Sequence, residues 1–139
     1  MANRGLVGLE RVRLFEGLSK RQLKKIHDAS TEVRYMEGAS IVKVNQPGDT
    51  FYVILEGQAK VTRGGRTINR LVPGDYFGEI SLLDGGKRSA SVVSETPMVM
   101  LEVKQRAFLK FLREDPTVAM KLMETLARRV RTIERSLRD

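Results

Sequence analysis

The residue types able to do chemistry gather in residues 76–93, Tyr-Phe-Gly-Glu-Ile-Ser-Leu-Leu-Asp-Gly-Gly-Lys-Arg-Ser-Ala-Ser-Val-Val. One carboxylate, Glu79, and one guanidinium, Arg88, bracket a turn rich in small residues. An arginine presents a planar fork of donors that matches two phosphate oxygens at once. Glu79 accepts hydrogen bonds, and a ribose hydroxyl is its natural small-molecule donor. Gly78 and Ser81 leave the backbone open, and N–H groups at the start of a short helical turn favour an anion. Ser89 adds a hydroxyl beside the guanidinium. A sugar–phosphate is the simplest ligand that uses every group. A surface Glu–Arg ion pair beside an ordinary glycine turn accounts for the same spacing, and these residues alone leave both readings open.

The elements that position this stretch follow from periodicity. From Thr31 to Glu102, short runs rich in Val, Ile, Tyr and Phe alternate with turn signals such as Pro47-Gly48-Asp49, Gly64-Gly65 and Pro73-Gly74-Asp75. That rhythm predicts an all-β sandwich or barrel. The expected strands are Glu32–Tyr35, Ser40–Val44, Phe51–Glu56, Gln58–Arg63, Arg66–Val72, Ser89–Val93 and Met98–Val103. Two glycines can supply the positive φ angles of a tight turn, so Val61–Ile68 is the clearest hairpin. Phe51–Leu55 is apolar throughout, which predicts burial on both faces or at a packed corner. Before the strands, Leu6–Glu16 has apolar residues largely at helical spacing, and Ser19 is a credible N-cap for a helix over Lys20–Ala29. After them, Lys104–Arg113 groups Ala107, Phe108, Phe111 and Leu112. Asp115-Pro116 then breaks the chain, and Pro116 suits the first turn of a last helix running to about Leu137. The fold class expected is mainly β with flanking α: N-terminal helices, an all-β sandwich or barrel, and two C-terminal helices.

Composition narrows the chemistry. The absence of Cys from the 139 residues removes disulfides, thiolate metal sites and cysteine nucleophiles together. The one histidine, His27, has no second ligand at metal spacing and is expected to be structural. No Ser/His/Asp set or carboxylate pair presents itself, so an enzyme is not expected: no catalytic residue, no metal and no cofactor. No apolar run approaches the roughly 20 residues that cross a bilayer. The first residues lack the apolar core of a signal peptide, so a cytoplasmic location is the default expectation. The net charge of +8 lies at the ends. Residues 1–30 carry seven basic and three acidic side chains and residues 104–139 carry ten and five, while 31–103 carry eight and nine. Such ends either solvate helix surfaces or attract nucleic acid, anionic lipid or an acidic partner, but no aromatics interleave the charges as a single-strand binder would require.

With these residues in hand, the sequence resembles the cyclic nucleotide-binding domain family, shared by catabolite-activator-type regulators, cyclic-nucleotide-dependent kinases and gated channels. The family's phosphate-binding cassette has its counterpart in Phe77-Gly78-Glu79-Ile80-Ser81-Leu82-Leu83, then Arg88-Ser89-Ala90-Ser91-Val92. Pro47–Gly57 and Pro73-Gly74-Asp75 resemble its strand-and-glycine signatures. The resemblance implies a single cyclic nucleotide-binding domain over residues 1–139, with N-terminal helices in 1–30, an antiparallel jelly-roll-like β-roll in 31–103, and hinge and lid helices in 104–139. It implies that Glu79 accepts from the ribose 2′-hydroxyl and that Arg88 pairs with the cyclic phosphate. Backbone N–H groups near Ile80, Ser81 and Ala90 face phosphate, with Gly78 permitting the approach. Ser89 stands where cAMP-selective kinase sites often have Ala and cGMP-selective ones Thr; the expected ligand is cAMP, with cGMP as the alternative. Arg128, Arg129 and Thr132 are the candidates for meeting the base. The family's mechanism is a switch, in which a hinge near Leu109–Leu112 relaxes and the last helix closes over the base.

The last helix carries a second expectation. Ala119, Met123, Leu126, Val130, Ile133 and Leu137 recur at heptad spacing. This stripe either lies on the barrel or forms a homodimer seam, and each use suits a different half. The downstream protein is unnamed by the sequence, and no DNA-reading segment follows Asp139. The leading expectation is a stand-alone sensor or an excised N-terminal domain of a transcription regulator. The rivals are a ligand-free β-roll used for dimerisation or docking, and a nucleic-acid binder using the basic ends.

Overall fold

A computed structural model describes residues 4–138. Two four-stranded antiparallel sheets form a β-roll flanked by helices. The strands are β1 (Thr31–Tyr35), β2 (Ser40–Val42), β3 (Thr50–Glu56), β4 (Ala59–Arg63), β5 (Arg66–Leu71), β6 (Tyr76–Phe77), β7 (Ser91–Ser94) and β8 (Met98–Lys104). One sheet has the order β1-β8-β3-β6 and the other β2-β7-β4-β5. Helices α1 (Arg4–Glu10) and α2 (Lys20–Asp28) precede the roll, with a 3-10 turn at Arg13–Phe15 between them. Helix α3 (Glu79–Asp84) interrupts the roll, and α4 (Gln105–Glu114) and α5 (Pro116–Arg138) follow it.

Strand β3 organises the interior because both of its faces are apolar. Phe51 and Val53 face a core shared with the helices, while Tyr52 and Ile54 face a second core between the sheets. All four are buried, as the unbroken apolar run requires. In the helical core, Phe15 meets Phe51 edge-on at a centroid distance of 5.6 Å and Phe108 at 5.8 Å. Such pairs add about 0.5–1.5 kcal/mol each beyond their buried area. The β4–β5 hairpin turns through Gly64 (φ 58°) and Gly65 (φ 77°), the two positive angles that its two-residue loop demands. Helix α2 begins with a reciprocal capping box: Ser19 Oγ accepts from Gln22 N, and Gln22 Oε1 accepts from Ser19 N.

The two-residue β6 was not among the expected strands, and three further departures from the pattern in the sequence have a tertiary reason. The stretch expected as one helix over Leu6–Glu16 divides into α1 and the 3-10 turn, with Val12 extended between them. A straight helix would point Leu14 away from Leu9, whereas the break buries Leu9, Val12, Leu14 and Phe15 together. Strand β2 ends at Val42 rather than Val44, because Val44 N donates to Ser91 Oγ and Asn45 N to Arg88 O. Strand β7 starts at Ser91 rather than Ser89, because residues 88–90 belong to the site loop.

Helix α5 is the longest element, 23 residues and about 35 Å. It packs on the core through Val118 and Leu122, with Thr125 also buried. Of the heptad stripe, Ala119 and Leu126 are half-buried, and Met123, Val130, Ile133 and Leu137 are exposed. The buried face is therefore a second stripe, rotated from the heptad one. Among the described residues, no helix is long and apolar enough to cross a membrane.

Candidate functional site

Arg88 lies at the centre of the site. Its side chain is only 8% exposed, and its Nη2 donates to the Thr50 carbonyl at 2.7 Å. The guanidinium is threaded between two glycines. A Cβ at Gly48 would overlap Nε and Cζ of Arg88, and one at Gly78 would come within 2.6 Å of both Arg88 Nη1 and the Thr50 carbonyl. Gly78 also has φ 88° as it caps α3. The segment 45–48 grips the arginine's backbone: Asn45 N donates to Arg88 O at 2.8 Å, Arg88 N to Gln46 O at 2.9 Å, and Gly48 N to Gly86 O at 3.1 Å. Burial lowers the pKa of the guanidinium, while Tyr52 and Asp49 pull it back up. An arginine keeps its charge through such a shift at neutral pH.

Glu79 opens α3 beside the same cavity. Burial raises its carboxyl pKa, and the field of Arg129 and its own backbone N–H oppose that rise. Leu82 N closes the first turn onto Gly78 O at 3.1 Å, which leaves the preceding N–H groups of α3 without intrahelical acceptors. The helix is seated by Leu82, fully buried in the same core as Phe108, Phe111, Val118 and Leu122. Truncating a leucine in such a place to Ala costs about 2–5 kcal/mol. One packed core thus touches both the site helix and the C-terminal helices.

The cavity has a volume of about 390 Å³, within the range of small-molecule sites. Glu79, Asp84, Lys87 and Arg88 are its charged lining residues, while Val42, Val61, Leu71 and Val92 supply apolar walls. A ligand with an anionic end and a flat, weakly polar body matches this division.

Gly78, Glu79, Ser81, Arg88, Ser89 and Ala90 all line the cavity. Ile80 lies in the first turn of α3, and its side chain falls outside the described part of the structure. Arg128, Arg129 and Thr132 do not line it. Arg128 Nη2 donates to Thr125 Oγ1 at 3.2 Å and Thr132 Oγ1 to the Arg128 carbonyl at 3.1 Å, both on α5 itself. Arg129 reaches the site only through its field on Glu79. The sequence reading did not single out Gly48, Thr50 or the apolar walls. The Pro47-Gly48-Asp49 turn was visible, but the need for a glycine there comes from a side chain forty residues away in the chain.

A family profile described as "Cyclic nucleotide-binding domain" matches residues 32–115, more than half of the chain. The chain belongs to the cyclic nucleotide-binding domain family. The cAMP-dependent protein kinase regulatory subunit of Aspergillus niger is 34% identical over 106 residues, covering 75% of this chain and 26% of that protein. The CRP-like cAMP-activated global transcriptional regulator of Mycobacterium tuberculosis is 27% identical, covering 94% of this chain and 61% of the relative. The chain thus spans between about a quarter and three-fifths of these curated relatives. Among solved structures, the N-terminal domain of a transcriptional regulator from Streptomyces coelicolor A3(2) superposes with a TM-score of 0.88 at 28% identity, covering 94% of both chains. The Thermus thermophilus catabolite activator protein gives 0.71 at 33% identity, covering 91% of this chain and 62% of that one.

Membership of the cyclic nucleotide-binding family fits the architecture just described. The helix and loop that resemble the family's cassette are α3 and residues 85–90, and they form one wall of the cavity. No group of three or more His, Cys, Asp or Glu is placed to hold a metal among the described residues.

Proposed function

We propose that this chain is a non-enzymatic cyclic nucleotide sensor, a regulatory domain over residues 1–139 that takes cAMP in preference to cGMP. The observation that carries the proposal is the buried Arg88, held on the same small cavity as Glu79. Arg88 pairs with the cyclic phosphate, Glu79 accepts from the ribose hydroxyl, and the backbone N–H groups of Ile80, Ser81 and Ala90 add to the anion's cradle. Gly78 permits the approach and Ser89 offers a hydroxyl. The preference for cAMP is supported by the names of the kinase regulatory subunit and the CRP-like regulator.

The output runs through the C-terminal helices. Ligand draws α3 inward, the hinge near Leu109–Leu112 relaxes, and α5 closes so that Arg128, Arg129 or Thr132 meets the base. The shared core of Leu82, Phe108, Phe111, Val118 and Leu122 supports such coupling. The ligand shifts α5 only by its differential affinity for the closed arrangement. The exposed stripe Met123, Val130, Ile133 and Leu137 is the surface for a second copy of the chain.

Calorimetric titration with cAMP and cGMP side by side tests ligand, preference and function class together. Saturable heat with both and a tighter constant for cAMP is the expected result. Absence of binding by either nucleotide would favour the ligand-free docking module instead.

A further inference from the structure

A second, larger concavity lies outside the nucleotide cavity, with a volume of about 810 Å³. Its walls come from three separate parts of the chain: Arg11 and Arg13 around the 3-10 turn, the end of β5 with the loop to β6, and Arg129 of α5. Arg70 lies in the same groove but is taken by Glu95 at 3.1 Å. Arg11, Arg13 and Arg129 have no carboxylate within ion-pair distance among the described residues. Arg129 Nη1 is buried with no hydrogen-bond partner. Leaving such a donor unmade is costly, and the cost is relieved by any acceptor that enters. The guanidinium of Arg11 lies across Gly74, where a Cβ would come within 2.6 Å of its Nη1. Three arginine side chains, drawn from distant parts of the sequence, thus line one groove with no ion-pair partner among the described residues.

We propose that this groove docks an acidic segment of a partner protein, its carboxylates taken by Arg11, Arg13 and Arg129. The arginine fork matches a carboxylate bidentately. The groove is about twice the nucleotide cavity in volume, more than one small anion fills. The Asp75 carboxylate stands in the same wall, one oxygen of it accepting from Val72 N at 2.8 Å, and it repels a nucleic-acid strand and an acidic peptide alike, so the choice between them rests on aromatic stacking. The one aromatic ring lining the groove, Tyr76, has its hydroxyl engaged by Arg13 N at 3.2 Å, so the stacking platform of a strand binder is missing. The proposal stands on the groove and does not depend on a nucleotide binding elsewhere.

The test uses the full 139-residue chain and a fluorescein-labelled hexaglutamate peptide followed by anisotropy. Arg11→Glu with Arg13→Glu should weaken binding by about tenfold or more, the scale of losing charge-assisted pairs. Both side chains are exposed, so the fold should tolerate the change. Lys20→Glu with Lys24→Glu, exposed on α2, changes net charge equally and should alter binding by less than about twofold, as a distant site does. Arg129→Gln should weaken binding independently. No peptide binding, equal loss in both double variants, or tighter capture of an oligonucleotide by the same arginines would each overturn the proposal.

Discussion

The site loop and the distal half of α5 are held on opposite terms. Around Arg88 the chain meets its own demands: a buried charge has a carbonyl acceptor, its backbone is paired to residues 45–48, and two glycines make room for it. Along α5 beyond Thr125, Val130, Ile133 and Leu137 are all more than half exposed. The first region has its polar groups paired within the chain before any ligand arrives. The second presents apolar surface at heptad spacing that only another surface can cover. The contrast separates a part closed on its own chain from a part that leaves apolar surface open.

The largest effect should come from breaking the finished half. Arg88→Ala removes the cation from the cavity and should weaken cyclic nucleotide binding by at least about 1.5–3 kcal/mol, the range of a hydrogen bond to a charged group. Gly48→Ala is the sharper variant, since it leaves the arginine in place but intrudes on its side chain. It should cost about tenfold in affinity by calorimetry, because displacement of the guanidinium spoils a bidentate geometry. Unchanged affinity in Gly48→Ala would show that the guanidinium has room to adjust, and the claim of a preset site would fail.

The unfinished half gives the next effect. Val130→Asp with Ile133→Asp puts charge into the exposed stripe, well away from the buried face at Val118, Leu122 and Thr125. Sedimentation equilibrium should read a dimer for the parent chain and a monomer for the variant. The affinity of each chain for cyclic nucleotide should stay within about threefold, as expected of sites that share no partners. A parent chain that sediments as a monomer would remove the second copy as the stripe's occupant.

What the sequence disclosed follows the range of the forces involved. The β-roll was legible because alternation, turn residues and the apolar run of β3 are local signals. That Glu79 and Arg88 share one cavity was legible because their residue types and the small residues around them are unusual in one short segment. Helix α5 was half legible: its heptad stripe is plain, but Val118, Leu122 and Thr125 repeat at helical spacing too, and only packing decides which stripe turns inward. Gly48 was out of reach, because its constraint is imposed by Arg88 across the fold. The break after α1 was equally hidden, since Leu14 leaves the helical face only to join a core assembled from distant strands.

The smallest effect tests whether the finished half is also strained. Burial raises the carboxyl pKa of Glu79 in the folded chain. The folded protein then holds this proton more tightly than the unfolded chain does. The resulting stabilisation is present below the ordinary glutamate range and is lost as pH rises through the raised folded value. At neutral pH the ionised carboxylate is therefore kept at a cost, which Arg129 only partly offsets. Glu79→Gln keeps the shape and removes the charge, so it should raise the neutral-pH Tm by about 1–3 °C, the shift of a fraction of a kcal/mol in a domain of this size. The gap should close in acid, where the native carboxyl is neutral as well, while nucleotide affinity falls at neutral pH. A Glu79→Gln gap that persists undiminished in acid would mean that packing, not the buried charge, sets the difference between the two regions.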